Sequence, residues 1–184
     1  MSSTGKRYRD VQGALSRDLC DLPIAPEGDT QELVFEVAHV WELAEILAIE
    51  RSSFPGPWSW QLFVQEIESP TSRILVARSA LEKRRPIVGY VCWSFVAGEM
   101  HLLNLAVHPE RRRCGIGRRL LRMVIDDAWV RRAEAVYLEV REANRGAACL
   151  YRLAGFVRVG SRRDYYGPGE DAVVMALRLA VGDD

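Results

Sequence analysis

The sequence predicts an α/β fold: a mixed, mainly antiparallel sheet with helices on both faces. Three observations predict it. Three β-rich runs follow one another between residues 73 and 109, which implies an antiparallel meander. Strand and helix patterns then alternate as far as residue 155, which implies parallel pairing. Last, two β-rich runs flank "GPGE" at 167–170 and close the chain as a hairpin.

Taken in order, residues 1–30 mix charges with Pro23, Pro26 and Gly28 and show no clear period, so they read as an appended flexible arm before a domain spanning 31–180. "LVFEVAHV" from Leu33 is a short strand turning into a helix near 39–51, where Val40, Leu43, Ala44 and Leu47 repeat at helical spacing. "SSFPGPWSW" breaks that helix with two prolines and a glycine, and Ser59 then caps a second helix near 60–68. "RILVARS", "PIVGYVCWSFVAG" and "EMHLLNLAVHP" supply the meander. "GIGRRLLRMVIDDAWVRR" is amphipathic, "AVYLEVR" is a strand, and "NRGAACLYRLAG" is a helix from Asn144 that Gly155 ends. "FVRVGSRRDYY" and "DAVVMALRL" form the closing hairpin.

Lys plus Arg and Asp plus Glu both total 25, so no global field draws the chain to nucleic acid or an anionic membrane. No signal peptide or membrane span is visible, and a cytoplasmic setting is expected. Cys20, Cys92, Cys114 and Cys149 show no C-x-x-C and no nearby histidine pair, and His39, His101 and His108 lie far apart, so no metal site is expected.

Against that neutral background "HPERRRCGIGRRLL" at 108–121 gathers arginines around Gly115 and Gly117 where a strand gives way to a helix. Unpaired N–H groups at a helix N-terminus, the positive end of its dipole and the close approach that glycine allows suit a phosphate. A solvated arginine-rich helix face is the other reading. The chain lacks G-x-x-x-x-G-K-[ST] and the third glycine of a dinucleotide fingerprint, which disfavours an NTPase or a Rossmann dehydrogenase.

"RRCGIG" at 112–117, behind the strand end "NLAVHP", is similar to the acetyl-CoA signature [QR]-x-x-G-x-[GA] of the GNAT N-acetyltransferases. "YLEVREANRGAACLYRLAGF", "RRDYY", "EDAVVMAL" and the aromatic loop "SFPGPWS" resemble the RimI subgroup, which acetylates ribosomal-protein N-termini; the likeness runs from about Val34 to Leu179. The resemblance implies a sheet splayed where acetyl-CoA enters and no metal. It implies a pyrophosphate cradle of backbone N–H groups across Arg112, Arg113, Cys114, Gly115, Ile116, Gly117 and Arg118. Pantetheine would be bound by the backbone of Leu105, Ala106 and Val107 and by Asn144. The acceptor it implies is a protein N-terminus, with no direct nucleic acid and no membrane partner.

Alternation in "AVYLEVR" puts Tyr137, Glu139 and Arg141 away from the apolar face. Glu139 is either a strand carboxylate paired with Arg141 or a neighbour, or, by the resemblance, the general base. Tyr151 is either an aromatic packed under its helix or, by the resemblance, the acid that protonates the departing thiolate and a contact of the donor. Asn144 and Tyr151, seven residues apart, are expected on one helix face. Phe54, Trp58, Tyr165 and Tyr166 either line a peptide groove or serve as turn and loop anchors. Transfer is expected to be direct, since Cys149 has no cysteine–histidine arrangement for a covalent relay. Acetylation of a polyamine or aminoglycoside, and a silent CoA-binding module, are the competing readings; Glu139 and Tyr151 together argue against silence.

Overall fold

The protein is described here by a computed structural model covering residues 32–179; the N-terminal arm lies outside the described residues. Apolar alternation builds seven strands, β1 (Leu33–Val37), β2 (Ser72–Ser79), β3 (Ile87–Val96), β4 (Glu99–Val107), β5 (Ala135–Arg141), β6 (Val157–Arg162) and β7 (Ala172–Arg178). They form one sheet in the order β1-β2-β3-β4-β5-β7-β6. β1 to β4 are the expected antiparallel meander, extended by β1, and β5 runs parallel to β4.

The second strand–helix–strand unit departs from the expected pairing. β6 does not lie beside β5, because β7 inserts between them and pairs antiparallel with both. A hairpin return satisfies both edges of β7 at once, and strand order of that kind is set by long-range contacts rather than local pattern.

The helices are α1 (Leu43–Ser53), α2 (Trp60–Glu68), α3 (Ile116–Val130) and α4 (Arg145–Leu153). A short 3-10 turn at Val40–Glu42 leads into α1, so the regular helix begins later than its apolar spacing suggests. The Ser59 side chain accepts from the Leu62 N–H at 3.2 Å and starts α2 where expected. One core lies under α1 and α2, with Leu43, Ile46, Ile49 and Phe63 on Ile74, Val76 and Tyr90. The other lies under α3 and reaches α4, with Leu120, Leu121 and Val124 on Val91, Trp93 and Val136 and with Tyr151 against Phe156. Helices therefore cover both faces, and each burial removes apolar side chains from water at about 25 cal/mol per Å².

Two local devices position the site. Register between β3 and β4 shifts so that Cys92 faces Asn104 while Trp93 faces Leu102, leaving Leu103 as a bulge. Gly89 on β3 lies beneath the start of α3: a Cβ there would stand 2.9 Å from the Ala106 carbonyl oxygen and 3.2 to 3.3 Å from Leu120 and Ile116. Its missing side chain lets the helix N-terminus rest directly on the sheet.

Candidate functional site

β4 and β5 share only the four pairs from Glu99↔Ala135 to Leu102↔Leu138. Beyond the Leu103 bulge they part, and the gap opens into a cleft lined by Glu50, Phe54, Trp58, Leu105, Glu139, Asn144, Tyr151 and Tyr166, among others. His108 donates its N–H to the Val88 carbonyl at 2.9 Å, which fixes the phase of the β3–β4 ladder. Ala106 and Asn104 exchange backbone bonds with β3, whereas the backbone groups of Leu105 and Val107 point away from β3 into the gap. The splayed edge is thus an unpaired strand edge available to an amide-bearing chain such as pantetheine.

This phase separates the three expected strand-end residues. Leu105 offers its backbone groups to the gap, and Val107 offers its N–H, its carbonyl being taken by Arg112. Ala106 does not: its backbone is committed to Tyr90 and its side chain is buried in the core under α1 and α2.

At the mouth of the gap Gly115 takes the N-terminal position of α3 with φ +76°, no side chain caps the helix, and a Cβ on Gly115 would meet nothing within 4 Å. The N–H groups of Ile116 and Gly117 precede the first intrahelical bond, Arg119 N–H to the Gly115 carbonyl at 3.1 Å, so the helix itself gives them no acceptor. Arg113 is also at positive φ, 67°, a backbone turn of the kind that can direct N–H groups at an anion.

Side chains in this loop take varied parts. Ile116 is buried in the core, leaving only its backbone to the ligand. Arg112 is held within the protein, Nε on the Val107 carbonyl at 3.1 Å and Nη2 on Ser53 Oγ at 3.0 Å, bracing the loop against β4 and α1. Arg113, Cys114 and Arg118 are exposed, with Cys114 Sγ 3.5 Å from the Arg112 carbonyl oxygen. Gly117 faces Leu150, Val107 and Leu105, which a Cβ would meet at 3.5 to 3.8 Å.

Glu139 projects from β5 into the cleft, about a quarter exposed, and pairs with Arg162 of β6 at 3.1 Å. The ion-pair reading holds in a modified form, because Arg141 is occupied elsewhere: it bonds Glu170 and stacks over Tyr166, 4.2 Å from the ring centre. Tyr151 is both packed and positioned, buried against Phe156 yet lining the cleft. Burial, with Tyr166 nearby as a lesser cause, pushes its phenol far above the ordinary value, so it keeps its proton throughout the physiological range. Asn144 lies outside the helix it was expected to share with Tyr151: it caps α4, accepting from the Ala147 N–H at 3.1 Å. Both residues still line the cleft.

Phe54 and Trp58 pack on the core beneath α1 and α2 and face the cleft with their remaining surface. Tyr166 donates its O–H to the Glu139 carbonyl at 3.1 Å, and its phenol is pushed up to about 12, chiefly by burial. Tyr165 is half-exposed, set edge-on to Tyr166 and near Arg162, and does not line the cleft. Glu50 escaped the sequence reading. Only 1% exposed, it takes the Trp58 N–H at 2.7 Å, the Tyr90 hydroxyl and the Asn104 amide. The available signal was the phase of α1, in which Glu50 falls four residues after Ile46 on the buried side.

The profile of the acetyltransferase (GNAT) family matches residues 43–156, a span holding the splayed strands, the α3 cradle, Glu139 and Tyr151. The chain belongs to that family. As a GNAT enzyme it is an N-acetyltransferase that takes its acetyl group from acetyl-CoA. It is 40% identical over 134 residues to the N-alpha-acetyltransferase RimI of Mycobacterium tuberculosis, covering 69% of this chain and 80% of that one. It is 33% identical over 136 residues to the ribosomal protein bS18-alanine N-acetyltransferase of Salmonella typhimurium, covering 72% and 88%. The crystal structure of the ribosomal-protein-S18-alanine N-acetyltransferase from Escherichia coli superposes with a TM-score of 0.73 at 28% identity, covering 83% of this chain and 97% of that one. No helix among the described residues is long and apolar enough to cross a membrane.

Proposed function

We propose that this GNAT enzyme acetylates the N-terminal α-amine of a protein in the cytoplasm, and that its acceptor is an alanine-starting small-subunit ribosomal protein. The observation that carries the reading is that Glu139 and the protonated Tyr151 line one cleft whose outer walls are Phe54, Trp58 and Tyr166. Names of relatives at 33 to 40% identity support the choice of acceptor.

Acetyl-CoA supplies the activated acyl group. The α3 N-terminus would hold its pyrophosphate, and the Leu105 and Val107 backbone its pantetheine arm. Glu139 then takes the proton of the incoming amine, directly or through water, and Arg162 yields part of its hold on the carboxylate as that proton arrives. Tyr151, kept neutral by burial, donates its proton to the departing sulfur. An α-amine has a reference pKa near 8 against about 10.4 for lysine, so lysine must shed its proton at about 3 kcal/mol more. A carboxylate base suits the weaker amine.

The test is a panel of acceptors with acetyl-CoA and thiol-release detection: free and N-terminally blocked peptides beginning with alanine, peptides beginning with serine or glutamate, spermidine, and an aminoglycoside. The free alanine peptide is expected to react fastest. Faster acetylation of the small amines, or modification of the blocked peptide at an internal lysine, would overturn the proposal.

A further inference from the structure

A second carboxylate reaches this cleft, and no part of the transfer step uses it. Glu50 stands one helical turn before the end of α1 and is buried among donors from three other segments. Its Oε1 takes the Trp58 N–H at 2.7 Å, its Oε2 takes the Tyr90 hydroxyl of β3, and both oxygens lie 3.3 Å from Asn104 Nδ2 on β4. A buried carboxylate is tolerated where several donors converge on it. What those donors have in common is their location. Trp58 belongs to the loop that forms the acceptor wall, while Asn104 sits between the Leu103 bulge and Leu105, whose backbone faces the gap.

We infer that Glu50 is a positioning residue for the acceptor: by gripping the loop and β4 together, its carboxylate sets the spacing between the acceptor wall and the bulged donor edge. Phe54 and Trp58 pack the loop on the core, and a backbone hydrogen bond is what fixes its register. Between Phe54 and Ser59 it contains Pro55 and Pro57, which have no N–H to offer, so the Trp58 N–H is the natural point of attachment. Tyr90 supports the grip from below, fully buried and edge-on to Phe63 at 5.6 Å. The inference rests on the acceptor entering beside Phe54 and Trp58, as proposed above.

In Glu50→Gln an acceptor oxygen is replaced by an NH2 group in a pocket where the Trp58 N–H and the Asn104 amide already donate. Losing this attachment of the loop is expected to raise the acceptor KM about tenfold. Turnover should stay within about threefold and acetyl-CoA affinity within about twofold, because neither the α3 cradle nor the Glu139–Tyr151 pair is touched. Exchange of the Trp58 amide hydrogen should quicken by about tenfold or more, a readout that needs no acceptor. Tyr90→Phe keeps the Trp58 and Asn104 contacts and is expected to hold the KM within about threefold of wild type.

The kinetics use full-length enzyme and whichever amine of the panel the wild type acetylates fastest. The wild-type panel thus judges the acceptor class, while the ratio of variant to wild type, with the Trp58 exchange rate, judges Glu50. An unchanged KM, unchanged Trp58 exchange, or a loss confined to turnover in proportion to misfolded protein would overturn the inference. If Glu50→Gln does not fold, Glu50→Asp, which draws the carboxylate back by one methylene, is read by the same two measurements. If neither folds, the carboxylate is a requirement of the fold and the inference fails.

Discussion

Gly89→Ala tests whether the cofactor cradle depends on the close seating of α3. The glycine is not in a left-handed conformation, so alanine meets no backbone penalty, and stiffening the unfolded chain should favour the variant by about 0.4 to 1 kcal/mol. Against that stands a Cβ 2.9 Å from a carbonyl oxygen of the neighbouring strand and 3.2 to 3.3 Å from two core side chains of α3. Overpacking of this kind costs about 1 to 3 kcal/mol. Midrange values leave a net loss of about 1.3 kcal/mol, and for a chain of this size each kcal/mol lowers Tm by about 2 to 4 °C, giving a fall of about 3 to 5 °C. Since Ile116 and Leu120 must move outward, the cradle shifts with them, and acetyl-CoA affinity should weaken by about three- to tenfold. Thermal melts and calorimetry with acetyl-CoA measure both. Gly160→Ala in β6, where the new methyl meets only Val174 at 3.9 Å, is the control: the same stiffening should raise Tm by about 1 to 4 °C, with affinity unchanged. A Gly89→Ala enzyme with wild-type Tm and affinity would refute the argument.

Glu139→Gln is expected to lower turnover by roughly 10²-fold at neutral pH with acetyl-CoA affinity unchanged; near-native rates from pH 6 to 9 would remove Glu139 from the role of base. Tyr151→Phe should slow turnover while the enzyme still folds, and wild-type turnover should show no alkaline fall from loss of this proton below about pH 10, because burial holds the phenol above its ordinary value. Both Tyr151 and Tyr166 have folded-state values raised above 10, that of Tyr166 to about 12. Their contribution to stability is therefore complete below the unfolded value near 10 and lost as pH rises through the folded values. Denaturant titrations from pH 8 to 12 should show the decline, less steep in Tyr166→Phe. Gly117→Val should fold, since a Cβ there finds ordinary contacts, but bind acetyl-CoA more weakly in calorimetry as its branches crowd the cradle.

Local signals in the sequence located most elements. Ser59 marked the start of α2, and the period of "AVYLEVR" gave β5 its bounds and aimed Glu139 away from the core. The glycines at 115 and 117 marked the turn into α3. Features created by two segments meeting were not legible. The Leu103 bulge is a mismatch between β3 and β4, so neither strand alone announces it. The place of β7 depends on which edges remain to be satisfied. Glu50 reads locally as a charged helix residue, and only the convergence of Trp58, Tyr90 and Asn104 explains its burial. Asn144 was assigned to the right helix boundary but to the wrong geometry, since a cap residue lies outside the helical spiral.

The short seam between β4 and β5 also governs how the protein breathes. Eight residue pairs join β3 to β4 and seven join β5 to β7, against four where the halves meet. The sheet is thus two ladders joined along a narrow weld and by the core under α3, and a flexing of one ladder against the other would strain the fewest backbone pairs. Such a motion changes the width of the gap while leaving each ladder whole, so a bulky nucleotide thioester can enter and its product leave without unfolding either half. Amide protons along the weld should exchange through this sub-global opening, at rates set by four pairs of contacts rather than by the stability of the whole domain.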